Sequence, residues 1–353
     1  MSMPRAKYDD SHTKVASDTH VNLREIADLA GVSVPTVSKV LNGRQGVSEV
    51  KRDAINTLLE EHGYRRRGTD RRSRIGLVDL LISGLGSMWS LEIVSGAAEE
   101  AARAGVGLVI SQTTGRRVGN QHWLRQLASR RTDGIVLVVS QLLPGAADAL
   151  ARLNTPLVLV DPVGDAAPSI PSVAATNWAG GLAATEHLLA LGHRRIGAIA
   201  GPAGLRCSQD RLDGYRVALQ RAGVMPDPAL VRFGDFLVGG GRVGGTSLLA
   251  LADPPTAIFA GSDQQAHGVY LAAAARGLRI PDDVSVVGFD DVALCEWISP
   301  TLTTVRQPLA EMAAEATRLV LSLSSNGDSP VPPRRELATS LIVRESTAPP
   351  RSL

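Results

Sequence analysis

The chain has 353 residues, 44% of them hydrophobic, which suits a globular protein of two or three domains. No apolar run approaches the roughly 18 residues of a membrane span, and the polar first 20 residues lack the apolar core of a signal peptide, so a cytoplasmic protein is expected. The net charge of +2 is uneven: residues 1–74 carry 14 Lys or Arg against 10 Asp or Glu, so only this basic head is suited to a polyanion.

Residues 1–20 read as a disordered leader, polar and without periodicity. Helical periodicity starts after Asn22, a potential N-cap with Glu25 as its capping-box partner. Ile26, Ala27 and Ala30 then share one face of a short helix that Gly31 ends. Ser33 caps a second helix over 34–41, with Val37, Val40 and Leu41 inward. Ser48 caps a third, with Ile55, Leu58 and Leu59 apolar, ending near Gly63-Tyr64. Three short helices with a tight small-residue turn between the first two make a helix-turn-helix. The outward face of the second offers Thr36, Ser38, Lys39 and Asn42, short donors and a cation suited to base edges and phosphates. A three-helix bundle with no DNA partner is the alternative.

Residues 65–74 form a linker, too charged to pack and interrupted by Gly68. From Ile75 buried strands are expected at 75–81, 106–111, 134–139 and 156–160, separated by helices near 91–104, 122–129 and 146–153. More strands follow at 195–200, 230–233, 256–260 and 284–289, alternating with helices such as 180–191 and 210–222. Such alternation implies parallel sheets covered on both faces, and the strand number favours two doubly wound subdomains. Ligands then sit beyond the carboxyl ends of the strands. Trp89 falls in the expected loop after the first body strand, where it offers a stacking platform. Cys207 and Cys295, without C-x-x-C spacing or nearby His pairs, read as buried reduced thiols, and no metal site is expected.

These residues resemble the LacI (lac repressor) family of bacterial regulators over about 21–350. Residues 23–43 (LREIADLAGVSVPTVSKVLNG) look like its DNA-reading motif, followed by Val47-Ser48 and Gly63-Tyr64. The second half adds Gly180-Gly181, Glu186-His187-Leu188, the run LGHRRI at 191–196, PDDVSVVGFDD at 281–291 and LTTVRQP at 302–308. The resemblance implies a homodimer or higher oligomer on a pseudo-palindromic operator. It also implies a periplasmic-binding-protein-like (type I) α/β body over 75–350 that responds to a small carbohydrate. The two subdomains would comprise about 75–174 plus 292–335, and about 175–291 plus 336–350. The function expected is a repressor of sugar uptake or catabolism genes, without a cofactor, a membrane partner or enzyme activity.

Residue by residue, the resemblance places Val34, Pro35 and Lys39 at base edges, and Thr36, Ser38, Asn42 and Arg44 at phosphate or supporting positions. Val34 and Pro35 have no side-chain hydrogen bond to offer and would read thymine methyls or shape, leaving Lys39 for guanine. In the body, Asp161, Arg211 and Asp290 resemble the polar sugar ligands, Phe236 a ring-stacking aromatic, and Ser262-Asp263 a ligand-contacting strand end. Sugars call for this mixture of charged hydrogen-bonding groups and flat apolar surface. Plainer readings stand beside these. Asp290-Asp291 would also suit a turn or helix cap, Arg211 a surface pair with Asp210 or Asp213, and Trp89 and Phe236 a core.

Three further features bear on function. Gly239 to Gly244 fits G-x-G-x-x-G, with Asp263 about 20 residues on, the pattern of a dinucleotide site. Yet 233–238 reads as a strand end followed by loop, whereas the fingerprint should directly follow a buried strand. A transport-type sugar-binding protein would carry an export signal and no helix-turn-helix, and the sequence shows the reverse. Finally, the family typically follows the third helix with a hinge helix whose apolar residue wedges into the minor groove. Here the ten residues between Tyr64 and Ile75 include six Arg and no Leu, Ile, Val, Met or Phe. The expectation is therefore an arginine arm along phosphates with no wedge, or a solvated linker that touches nothing.

Overall fold

The computed structural model describes residues 23–41, 46–61, 75–113, 117–118, 121–129, 132–138, 141–142, 145–152, 155–162, 170–326 and 334–351. The leader, Asn22, Asn42, Arg44 and the 65–74 linker lie outside the described residues. The chain divides into two compact units between Ser73 and Arg74.

The first unit holds α1 (Leu23–Leu29), α2 (Val34–Leu41) and α3 (Glu49–Glu61). Its core is Ile26, Ala27, Val37, Val40, Ile55 and Leu59, with Ala30 and Val32 of the turn packed on it. The turn is tight because Gly31 takes φ +60°, a conformation that favours glycine. Pro35 is tolerated at the second helical position because first-turn amides have no intrahelical acceptor to lose. The Ser33 carbonyl accepts from the amides of Thr36 and Val37, which starts α2.

The second unit runs β1 (Leu77–Ile82), α4 (Met88–Arg103), β2 (Gly107–Gln112), β3 (Arg117–Val118), α5 (Gln121–Ser129), β4 (Gly134–Val138), β5 (Gln141–Leu142), α6 (Ala146–Arg152), β6 (Leu157–Val160), β7 (Ser172–Ala175), α7 (Asn177–Ala190), β8 (Ile196–Ala200), α8 (Arg206–Arg221), β9 (Val231–Phe233), α9 (Val238–Leu249), β10 (Ala257–Ala260), α10 (Asp263–Ala274), β11 (Ser285–Asp290), α11 (Leu294–Trp297), β12 (Thr303–Arg306), α12 (Leu309–Asn326), β13 (Arg334–Leu337) and β14 (Ser340–Ile342). Two six-stranded sheets result, ordered β13-β7-β6-β4-β1-β2 and β14-β12-β11-β10-β8-β9. Every neighbour in both is parallel except β14 against β12.

Alternation along the strands divides each core in two. Val136 and Val138 face α4 and α12, whereas Ile135 and Leu137 face the side holding Leu127 of α5. In the second sheet Ala257 and Phe259 pack towards α7 and α8, and Ile258 and Ala260 towards α9 and α10. Both faces of each sheet are apolar, as parallel strands between helices require.

The chain passes between the lobes three times. The first passage is at Thr176, between β7 and α7; the second at Gln307-Pro308, between β12 and α12; the third at 338–339, between β13 and β14. The second falls later than the expected 291/292 division, because β12 pairs with β11 in the second sheet, although Val292 and Leu294 pack against the first lobe's core. Two passages are stitched together: the Thr339 amide donates to Thr176 Oγ1 at 2.9 Å, and the Thr176 amide donates to the Leu337 carbonyl at 3.0 Å.

Candidate effector site and DNA-reading face

On the head, burial of Val37 and Val40 turns the opposite side of α2 outward. Val34, Pro35 and Lys39 are exposed, and Thr36 and Ser38 are half-buried. The Thr36 hydroxyl hydrogen-bonds the Ser33 hydroxyl at 2.9 Å. The two apolar residues therefore stand at the start of α2 and the cation a turn further on, as a helix presenting its N-terminal end to base edges would need.

In the body the side chains converge on Arg211, which is only 4% exposed. Two neighbouring glycines of α7 make this placement possible. A Cβ on Gly181 would lie 2.1 Å from the Arg211 carbonyl oxygen, so only glycine lets α8 approach there; one on Gly180 would strike the Phe289 ring at 2.6 Å. Phe289 in turn carries the guanidinium, 3.7 Å from its ring centre, with Phe236 at 5.4 Å. Arg211 Nε donates to Asn177 Oδ1 at 2.8 Å, Nη1 to the Gly261 carbonyl at 2.6 Å, and Nη2 to Gln307 Oε1 at 2.7 Å. Its Nη1 lies 3.6 Å from Asp290 Oδ1, an oxygen with no hydrogen bond. Asn177 Nδ2 reaches Asp161 Oδ1 at 3.3 Å. A continuous polar chain thus runs from Asp161, ending β6 in one lobe, through Asn177 and Arg211 in the other to Gln307 in the second passage.

Backbone strain gathers at the same place. Among the described residues the non-glycine positions with positive φ are Asp161 (49°), Phe236 (69°), Asp290 (119°) and Asp291 (60°). Such conformations persist only where surrounding contacts enforce them, and they concentrate at ligand sites. Asp291 shows how: Arg306 Nε donates to its Oδ2 and Arg344 Nη2 meets its Oδ1, both at 2.7 Å, fixing the turn that aims Asp290.

The carboxylates are electrostatically crowded. Burial pushes Asp290 well above the ordinary range; Arg211 opposes this, while Asp263 and Asp161 add to it. Burial also raises Asp161, against the pull of Arg211 and hydrogen bonds from Asn177 and Cys207. Asp290 opens on a cleft of about 300 Å³ also lined by Glu92, Asp291, Arg306 and Gln307, a volume within the range of small-ligand sites.

Not every expected side chain joins this cluster. Ser262 is committed to the fold: its hydroxyl donates to the Phe236 carbonyl and accepts from the Gln265 amide as the N-cap of α10. Asp263 is fully buried, its Oδ1 accepting from Thr304 and its Oδ2 from the Val292 amide, so both oxygens brace the strand ends. Trp89 lies in the first turn of α4, not in a loop, half-buried against the first lobe's core at the carboxyl edge of its sheet. Phe236 is half-buried, and its ring covers Gly201. Arg211 is no surface partner of Asp210 or Asp213: these bond Arg206 and Arg216 instead. Asn177, Gln307 and Phe289 were not singled out from sequence. The Gly239–Gly244 run lies inside α9, where a Cβ on Gly241 would meet the Gln265 carbonyl at 2.2 Å, so it serves helix packing against α10. Cys207 and Cys295 are buried and unbridged, and no described helix is long and apolar enough to cross a membrane.

Fold and site together define a DNA-binding head joined to a two-lobed body of the periplasmic-binding-protein kind. Family models agree: "Bacterial regulatory proteins, lacI family" matches residues 22–67 and "Periplasmic binding protein-like domain" matches 185–347. The HTH-type transcriptional repressor CytR of Escherichia coli (strain K12) is 31% identical over 335 residues, covering 94% of this chain and 97% of that protein. The regulator CelR of Thermobifida fusca is 34% identical over 334 residues, covering 92% and 97%. Among solved structures, a CelR–cellobiose complex superposes with a TM-score of 0.70 at 32% identity, over 92% of this chain and 99% of that one. The lac repressor dimer bound to operator and the anti-inducer ONPF gives 0.68 at 28% identity, over 93% and 99%. The chain belongs to the LacI family of bacterial regulatory proteins.

Proposed function

We propose that this chain is a sequence-specific transcriptional repressor of sugar uptake or catabolism genes. It acts in the cytoplasm as a homodimer on a pseudo-palindromic operator, and a small carbohydrate beside Arg211 sets its affinity for DNA. The observation that carries this reading is the chain from Asp161 through Asn177 and Arg211 to Gln307. A ligand that bonds any of these groups alters contacts between lobes and at a passage between them, which is what coupling to a second site requires. Trp89, Asp161, Arg211, Phe236 and Asp290 are the proposed contacts, with Ser262 and Asp263 as their frame. Val34, Pro35 and Lys39 are the proposed base-reading residues, with Thr36, Ser38, Asn42 and Arg44 in support. A regulator rather than an enzyme is the reading adopted, in line with the relatives CytR and CelR, which are transcriptional regulators.

Gel-shift titration against the operator tests both halves. Lys39→Ala should weaken operator binding by roughly 1–3 kcal/mol and relax preference at one base pair per half-site; an equal loss on random DNA would restrict Lys39 to phosphate. Asp290→Asn should hold the operator as the parent does yet no longer respond to the sugar. A normal response in that variant would remove Asp290 from the site.

A further inference from the structure

We propose that Asp291, gripped by Arg306 and Arg344, ties the Asp290 turn to the second and third passages between the lobes, so that the three shift together when a ligand engages Asp290. Asp291 and Arg344 are positioning residues that act through Asp290. That a ligand engages Asp290 rests on the reading above; the tie itself rests on the fold.

Adjacent strands bring the three parts into one row. Asp290 of β11 lies opposite Arg306 of β12, and Arg306 lies opposite Ser340 of β14. The second passage begins one residue after Arg306, and the third ends one residue before Ser340. The Gln307 amide donates to the Asp290 carbonyl at 3.2 Å, while Gln307 Oε1 accepts from Arg211 Nη2 at 2.7 Å. The third passage is in turn stitched to the first through Thr176 and Thr339.

Strand pairing alone does not hold the end of this row. Asp290 and Asp291 take φ of 119° and 60°, which residues other than glycine keep only where contacts enforce it. The enforcing group is the Asp291 carboxylate, whose side chain is 6% exposed. Arg306 Nε donates to its Oδ2 and Arg344 Nη2 forms an ion pair with its Oδ1, both at 2.7 Å. Arg344 is anchored beside β12: its amide donates to Thr303 Oγ1 and its Nη1 to the Leu302 carbonyl, both at 2.9 Å. Two residues on, the Ser346 hydroxyl donates to the Val286 carbonyl of β11, and the Ser346 carbonyl accepts from the Val286 amide. The segment after β14 therefore bridges β12 and β11 and grips the turn from the third passage, as Arg306 grips it from the second. A strained turn held by two cations relaxes when either lets go. It is thus an element with two arrangements, which a ligand at one end and the passages at the other can both bias.

Hydrogen–deuterium exchange of the full-length protein, read by mass spectrometry, tests the tie without a ligand. Arg344→Met removes the charge and keeps most of the side chain's length. Exchange should quicken about tenfold in peptides spanning 288–292, 304–309 and 338–341, and stay at the parent rate in β1 and β4. Arg344→Lys, which keeps the charge, should restore most of the protection. Quickening confined to 343–348 or to 288–292 overturns the tie. So does equal quickening in β1 and β4, the mark of a general loss of stability. Should Arg344→Met fail to fold, Arg306→Met loosens the same carboxylate from its more exposed side and should give the same three-part pattern. Gel shifts with cellobiose and ribose on the same proteins keep the two levels apart. A parent that answers to neither sugar yet shows the exchange pattern in its variants leaves the tie standing and removes the carbohydrate reading. An Arg344→Met protein that leaves the operator at the parent's sugar concentration overturns the tie.

Discussion

Arg211 is a cation kept in the interior by the groups that also make it useful. Phe289 supports its face, Asp290 balances its charge, and three acceptors fix its fork. Truncating it to alanine would strand buried carboxylates, a loss of about 3–5 kcal/mol, so its role in the site is better read in Arg211→Lys, which keeps the charge but not the planar fork. That variant should stay folded and lose response to the sugar. Asp263 makes a second case. Burial lifts its pKa to about 6 despite hydrogen bonds from Thr304 and the Val292 amide. With the folded-state pKa above the ordinary carboxylate value, the folded protein favours the protonated form. This residue's stabilising contribution is therefore full below about pH 4 and is lost as pH rises through about 6. Thermal melts from pH 4 to 7 should show that decline, and Asp263→Asn should flatten it. An unchanged slope in the variant would assign the decline to another group.

At the scale of elements, the site depends on how closely α7 and α8 lie. A Cβ on Gly181 would meet backbone, not a yielding side chain. Gly181→Ala should destabilise by about 1–3 kcal/mol, as overpacking does, and should also weaken sugar binding by displacing Arg211. Wild-type affinity in the variant would show that the helices separate without moving that residue. The strands β1, β2, β4 and β6 and the helices of the head were legible because each carries a regular apolar pattern. The strands β12, β13 and β14 were not. They are three or four residues long and rich in Thr, Arg and Ser, and β13 and β14 lie at sheet edges.

For the whole molecule, the head and body are joined through 65–74, whose composition bears on how the operator is held. With six Arg and no large aliphatic or Phe side chain, the segment has nothing to wedge between base steps. Replacing Arg65, Arg66 and Arg67 with Ala should lower the salt slope of operator binding by up to about three per arm, and gel-permutation assays should find little bending at the operator centre. A sharp central kink would refute the wedge-free arm, and an unchanged slope would leave a linker that touches nothing.

The sequence by itself determined the class of this protein. Helical and strand periodicity are local, and so are the motifs of the head and the runs at 281–291 and 302–308; each is decided within a few turns of chain. The family resemblance marked Trp89, Asp161, Arg211, Phe236, Ser262, Asp263 and Asp290 as one group. Only the tertiary structure decided how that group is held. Asn177 and Gln307 stand 34 and 96 residues from Arg211 and look like ordinary amides in the sequence. They become its partners because the passages at Thr176 and Gln307-Pro308 bring both lobes to one point. Ser262 and Asp263 are polar residues at a strand end, as a ligand contact would be, and neighbouring backbone claims them first. Whether a polar side chain faces a ligand or the fold depends on which groups lie within 3 Å of it, and chain distance does not set that.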